Sequence, residues 1–179
     1  MKIMVDLETL STRMDAHVLT VGAVAFDSVT MEIKDTFYER VEPESCDKLG
    51  LHKCEETVKF WESQSKEAYD EAFNPENRKP ILEVMQSFVK FWNKNKGDEF
   101  WCNGANFDEP ILSTVFCKLG LQKPWKFWNV RCLRTLMSMA DINMKMFGVV
   151  AHNSLEDCKA QLRAYAHAQK IIKSSRYTR

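Results

Sequence analysis

Apolar residues early in the chain fall into short β-branched runs, and later ones recur at helical spacing. Lys2 to Asp6, Val18 to Phe26 and Ile33 to Val41 predict three strands in succession, which implies a meander. The polar stretch Glu42 to His52 predicts a loop, and Thr57, Val58, Phe60 and Trp61 predict a helical segment continuing towards Phe73. Pro80 opens an amphipathic helix with Ile81, Leu82, Val84, Met85, Phe88, Val89, Phe91 and Trp92 at helical spacing, a core stripe.

Phe100 to Asn103 suits a fourth strand. A helix from Glu109 follows, burying Ile111, Leu112, Val115, Phe116 and Leu119 and closed by Gly120. A fifth strand is expected near Phe127 to Val130, a short helix over Leu133 to Met139, and a last helix from Leu155 to about Lys173. Strands first, then alternating helices and strands, give an α/β or α+β sheet with mixed pairing.

Composition narrows the class. The 179 residues fit one domain, 1–179, and with 45% hydrophobic residues, 11 Phe and 5 Trp an ordinary core can be buried without staples. Lys plus Arg (25) balance Asp plus Glu (25), which argues against gripping a long duplex by bulk charge and leaves room for a short strand held at one end. The visible cationic cluster, Lys170, Lys173, Arg176 and Arg179, reads as a solvated helix end. The six cysteines show no C-x-x-C pair and no zinc spacing, so reduced thiols are expected. The first ten residues lack the basic start and long apolar run of a signal peptide, and no apolar stretch reaches the roughly 20 residues of a membrane span, so a soluble, cytoplasmic protein without a membrane partner is expected.

Three stretches carry candidate chemistry. Ile3-Met4-Val5-Asp6-Leu7-Glu8-Thr9 ends a strand in two acids at i and i+2, which point to one face. Two like charges that close disfavour each other's ionisation unless a cation sits between them, and oxygen-only ligands favour a hard ion such as Mg²⁺. Acids at strand ends are also common on solvated surfaces. Trp101-Cys102-Asn103-Gly104-Ala105-Asn106-Phe107-Asp108-Glu109-Pro110 places a third carboxylate at a strand-to-helix loop, where Asp108 also suits an N-cap. Ala151-His152-Asn153-Ser154-Leu155-Glu156-Asp157 sets an imidazole outside a helix and a carboxylate in its first turn, although Ser154 and Asp157 also resemble a capping box.

D-x-E on a first strand, N-x-x-x-F-D before a middle helix and H-x-x-x-x-D opening the last one are rarely arranged together by chance. In that combination the chain resembles the DnaQ-like exonucleases, the DEDDh branch of the ribonuclease H-like superfamily, over essentially its whole length. Val21-Gly22-Ala23-Val24-Ala25-Phe26-Asp27, Pro124-Trp125-Lys126-Phe127-Trp128-Asn129, Arg131 and Arg134-Thr135-Leu136 are similar to the small phage exodeoxyribonucleases A and a related mycobacterial exoribonuclease. The departures are Ser154 where the pattern usually has Ala, and Cys132 where relatives often carry an acid.

The resemblance implies a ribonuclease H-like mixed five-stranded sheet flanked by helices, and a metal-dependent 3'-to-5' exonuclease that releases nucleoside 5'-monophosphates from DNA or RNA. It implies that Asp6, Glu8 and Asp157 hold one Mg²⁺, that Asp6 and Asp108 serve a second, and that His152 takes a proton from the attacking water; Mn²⁺ is an expected substitute. Thr9 and Leu10 are placed beside the terminal nucleotide, Leu10 as a wedge, with Trp61, Trp101 and Phe107 as candidate base stackers and Asn103 and Arg131 as phosphate or sugar contacts. Partners implied are single-stranded or 3'-overhang nucleic acid and a second copy of the chain, in a cytoplasm that includes that of a phage-infected host cell. Three readings stay open beside this one: a nuclease of short oligonucleotides or dinucleotides, a catalytically silent binding module, and three unrelated caps and strand ends that lie apart in the fold.

Overall fold

The computed structural model describes residues 1–148 and 152–175. Strands β1 (Lys2–Thr9), β2 (Val18–Phe26) and β3 (Ile33–Val41) form the expected antiparallel meander. Past it, β1 pairs in parallel with β5 (Glu99–Cys102), and β5 with β6 (Val130–Cys132). The two-residue β4 (Arg78–Lys79) adds a sixth strand beside β3, giving the order β4-β3-β2-β1-β5-β6 where five strands were expected. So short a strand leaves no alternating pattern to read.

Other boundaries also moved. Phe127–Asn129 is a 3-10 turn and β6 begins only at Val130. The polar stretch after β3 holds a helix, α1 (Pro43–Lys48), opened by a proline in its first turn. The expected continuous helix to Phe73 is two, α2 (Glu55–Glu62) and α3 (Lys66–Phe73), because the Ser65 side chain accepts from the Ala68 N–H and starts a new helix.

Two layers cover the sheet. Ile3, Val5, Leu7, Val21 and Phe37 face α4 (Ile81–Lys94) and α5 (Asp108–Lys118), whose buried residues include Val84, Phe88, Trp92, Ile111, Leu112 and Phe116. Met4, Val24, Phe26 and Trp101 face α6 (Leu133–Met139) and α7 (Ser154–Ser175) through Leu133, Met137, Cys158, Leu162 and Tyr165. With a layer on each face, all nine residues of β2 are buried, as its unbroken apolar run requires. Helix α5 closes as its sequence predicts, with Gly120 left-handed at φ +65° just past the last turn. All six cysteines are free, and among the described residues no helix is long and apolar enough to cross a membrane.

Candidate active site

The site grows from the end of β1. Asp6 and Glu8 alternate with Val5 and Leu7 and so project to the face that α7 covers, and a register shift between Glu8 and Thr9 marks a bulge at that end. Helix α7 reaches them because Gly22, the β2 partner of Asp6, has no side chain. A Cβ there would lie 2.3 Å from the Ser154 carbonyl carbon and 2.5 Å from the Leu155 nitrogen. Only glycine lets the helix start touch the sheet. The helix is capped by Asn153, whose Oδ1 accepts from the N–H groups of Leu155 and Glu156 at 3.1 Å each. Ser154 is therefore not the cap expected of it; its buried hydroxyl sits 3.0 Å from that of Thr20. One turn on, the Cys158 thiol donates to the carbonyls of Gly22 (3.4 Å) and Met4 (3.5 Å).

This seating brings carboxylate oxygens of Asp6, Glu8 and Asp157 within 4.8 Å of one another. Burial, then the charges of Asp108, Glu8 and Asp157, holds the Asp6 carboxyl well above its usual range. Burial, then the charges of Asp157 and Asp108, push Glu8 up to about 8, and burial with Glu156 raises Asp157 to about 6. Opposing this at Asp6 is Gln161, one turn beyond Asp157, whose buried amide donates to Asp6 Oδ1 at 2.6 Å. Asp108, in the first turn of α5, is 3% exposed. Burial raises it to about 7, resisted by the N–H groups of its own residue and Leu7, the Cys102 thiol and the charge of Arg134. It acts as a buried acid facing β1, not as the solvent-side cap the sequence allows. Such a crowd of oxygen donors fits a hard divalent cation, which would offset the mutual repulsion.

Beside the carboxylates lies a pocket of about 600 Å³ lined by Glu8, Thr9, Phe60, Trp61, Phe107 and His152 among others. His152 has a left-handed backbone (φ +43°), and its ring packs edge-on against Phe60 at 5.4 Å and Trp61 at 5.6 Å. Burial there lowers its pKa, so the imidazole is neutral and can accept a proton near pH 7. Ala151, just before it, lies outside the described residues, as do Arg176 and Arg179 of the C-terminal cationic cluster.

The residues expected to contact substrate differ in burial and orientation. Trp61 is 1% exposed and donates its indole N–H to the Thr9 carbonyl at 2.9 Å, and Trp101 is buried against Tyr165; both are core, so of the three expected stackers Phe107 is the one available at the pocket, where Phe60 is exposed too. Leu10 is buried with Leu19, Trp61 and Ala72, so a wedging role would require it to leave that cluster. Thr9 is buried too, its hydroxyl donating to the Ser11 carbonyl. Arg131 is turned away: its guanidinium donates to the carbonyls of Trp128 (2.7 Å) and Val130 (3.0 Å) and lies 3.5 Å from Glu99, which pairs with the start of β1. Asn103, by contrast, follows β5 at the active end of the sheet, and its buried Oδ1 has no donor. Sequence reading missed Gln161, whose signal was its spacing of four from Asp157, and Gly22 and Arg134, which lay within quoted stretches without an assigned part.

The order of elements and the convergence of the acids can be compared with known proteins. A family model described as a 3'-5' exoribonuclease Rv2179c-like domain matches residues 1–169. The chain belongs to that family. It is accordingly a 3'-5' exonuclease with a ribonuclease H-like α/β fold. The nuclease domain of 3'hExo, a DEDDh family member solved bound to rAMP, is similar at 13% identity and TM-score 0.62, over 94% of this exonuclease and 90% of that chain. Exonuclease I in its apo form matches at 13% identity and TM-score 0.68, over 94% of this chain and 41% of its own, and the E. coli enzyme in complex with a dT13 oligonucleotide at 13% and 0.66, over 94% and 40%. These likenesses concern the fold. A search of curated protein sequences gives no match.

Proposed function

We propose that this exonuclease hydrolyses single-stranded nucleic acid from a free 3' end with two divalent metal ions, Mg²⁺ with Mn²⁺ as a substitute, and releases nucleoside 5'-monophosphates. The observation that carries this reading is the convergence of Asp6, Glu8 and Asp157 within 4.8 Å at the mouth of the His152 pocket. Those three would hold one ion, with Asp108 and Asp6 serving the second. Bound there, the metal would lower the pKa of the attacking water and stabilise charge on the phosphate oxygens. The residues supply the rest. Gln161 restrains Asp6 Oδ1, so the carboxylate is oriented before any ion arrives. His152, neutral and facing the pocket, takes the proton of the water. The pocket receives the terminal nucleoside, with Phe107 against the base; the orphan acceptor of Asn103 suits a sugar hydroxyl better than a phosphate.

The family description makes RNA the first substrate to test, and the resemblance of several sequence stretches to phage exodeoxyribonucleases keeps DNA beside it. A free 3' overhang, a homodimeric assembly and a cytoplasmic setting complete the reading. The deciding experiment follows 3'-labelled and 5'-labelled single strands of RNA and DNA with Mg²⁺ or EDTA. Metal-dependent release of mononucleotides from the 3' end by the wild type, absent in Asp6→Asn, is expected. No release from either strand with Mg²⁺ or Mn²⁺ would overturn the proposal.

A further inference from the structure

The His152 pocket occupies one side of the carboxylates; a second pocket, of about 730 Å³, opens beyond Asn103. Parallel pairing of Met4 with Trp101 sets Asn103, on the wall of this pocket, level with Asp6 on the neighbouring strand. Its walls are Asn103, α6 and the turn that follows, with Met137, Ile142 and Met144 as an apolar floor. The partition between the pockets is the turn from Asn103 to Phe107. A Cβ on Gly104 in that turn would lie 3.8 Å from the Arg134 guanidinium and 3.9 Å from the Phe107 Cβ, which belongs to the first pocket.

Two cations face the second pocket. Arg134, exposed at the start of α6, spends one N–H on the Asn103 carbonyl at 3.1 Å, and its guanidinium carries five. Lys145 sits on the 3-10 turn Met144–Phe147, which Asn143 starts by accepting the Lys145 N–H at 3.1 Å. Neither forms an ion pair among the described residues, although most cations near the rest of the sheet do. Asp141 on the same wall leaves a local balance of one positive charge in a chain whose net charge is zero. An unpaired guanidinium and ammonium beside a phosphodiester centre suit the backbone of a strand that continues past it.

We propose that the second pocket receives the strand on the 5' side of the cut, with Arg134 and Lys145 engaging backbone phosphates upstream of the scissile one. The inference rests on the exonuclease reading above and sharpens it: a strand is preferred to a dinucleotide because only a strand carries backbone phosphates upstream of the scissile one.

The test compares wild type, Arg134→Ala, Arg134→Lys and Lys145→Ala on two substrates. One is a single strand of about twelve nucleotides; the other is the p-nitrophenyl ester of thymidine 5'-monophosphate, which has a scissile phosphodiester and no upstream phosphate. Each alanine variant is expected to raise KM for the strand about tenfold and to flatten the dependence of log(kcat/KM) on log salt by about 0.7, and Lys145→Ala, which does not act on Asp108, to change kcat less. The preference for strand over ester should fall by a similar factor, and Arg134→Lys should retain most of the salt dependence. Equal proportional losses on both substrates, or no change on either, would overturn the proposal; Lys145 is exposed, so its variant answers even if Arg134→Ala does not fold. Strand binding by fluorescence anisotropy reads the same contrast without turnover. If wild type binds the strand yet cleaves neither substrate, the catalytic reading fails while the pocket is still judged by the variants' affinities.

Discussion

Strand β1 has one face that stabilises the fold and one that strains it. Ile3, Val5 and Leu7, at most 4% exposed, enter an apolar layer with Phe88, Trp92, Phe100 and Trp125, whose rings meet at centroid distances of 4.7 to 6.5 Å. Asp6 and Glu8, one residue out of phase, enter a cluster whose acids repel one another and resist ionisation. The difference shows how a small fold hosts unfavourable charge: rigid packing on one side holds in place what repulsion on the other would disperse.

The sharpest way to break that comparison is Asp6→Asn, which keeps the shape and removes a charge. Nuclease activity should fall by about 1,000-fold, equivalent to about 4 kcal/mol of barrier, with metal-free stability equal to or above wild type. The pH dependence follows from the raised carboxyls. Because the folded metal-free protein binds more protons than the unfolded chain between about pH 4 and the values near 8, 7 and 6 of Glu8, Asp108 and Asp157, the cluster's contribution to stability is lost as pH rises through that window. Mg²⁺ should consequently raise the melting temperature more near pH 8 than near pH 5, and Asp6→Asn should shrink that difference; equal shifts at both would count against a shared metal cluster.

On the opposite face, Phe88→Ala should cost about 3 to 5 kcal/mol in denaturant unfolding while the surviving folded fraction keeps its affinity for Mg²⁺. A loss of metal affinity as large as the loss of stability would show that the two faces are not separable. Gly22→Ala tests the joint between them. The new methyl would meet the Ser154 backbone, so α7 must move, and about 1 to 3 kcal/mol of stability should go together with metal affinity, read by calorimetric titration. Ser154→Ala is the mildest change: it removes one hydrogen bond to Thr20 and should cost about 1 kcal/mol with little effect on metal affinity.

Local pattern carried much of this protein. The β-branched runs of β1 to β3, the stripe of α4 and the spacing of Asp6 and Glu8 are properties of a few neighbouring residues, because strand alternation and helical periodicity act at short range. Element ends were less legible where a single side chain decided them, as Ser65 did in dividing α2 from α3 and Asn153 in starting α7. The short β4 and the late start of β6 depend on which strands lie alongside them.

What tertiary structure alone decided is proximity across the chain. Asp6 and Asp157 are separated by most of the sequence, and they meet because Gly22 admits the start of α7 onto β2. The same folding buries Trp61, Trp101 and Leu10, which composition would equally allow at a binding surface, turns Arg131 towards Glu99, and leaves Arg134 facing open space. The sequence by itself determined which residue types were available and which face of each element they took. Whether an acid is a surface charge or part of a metal site depends on the burial and charges around it, and those come from residues distant in the chain.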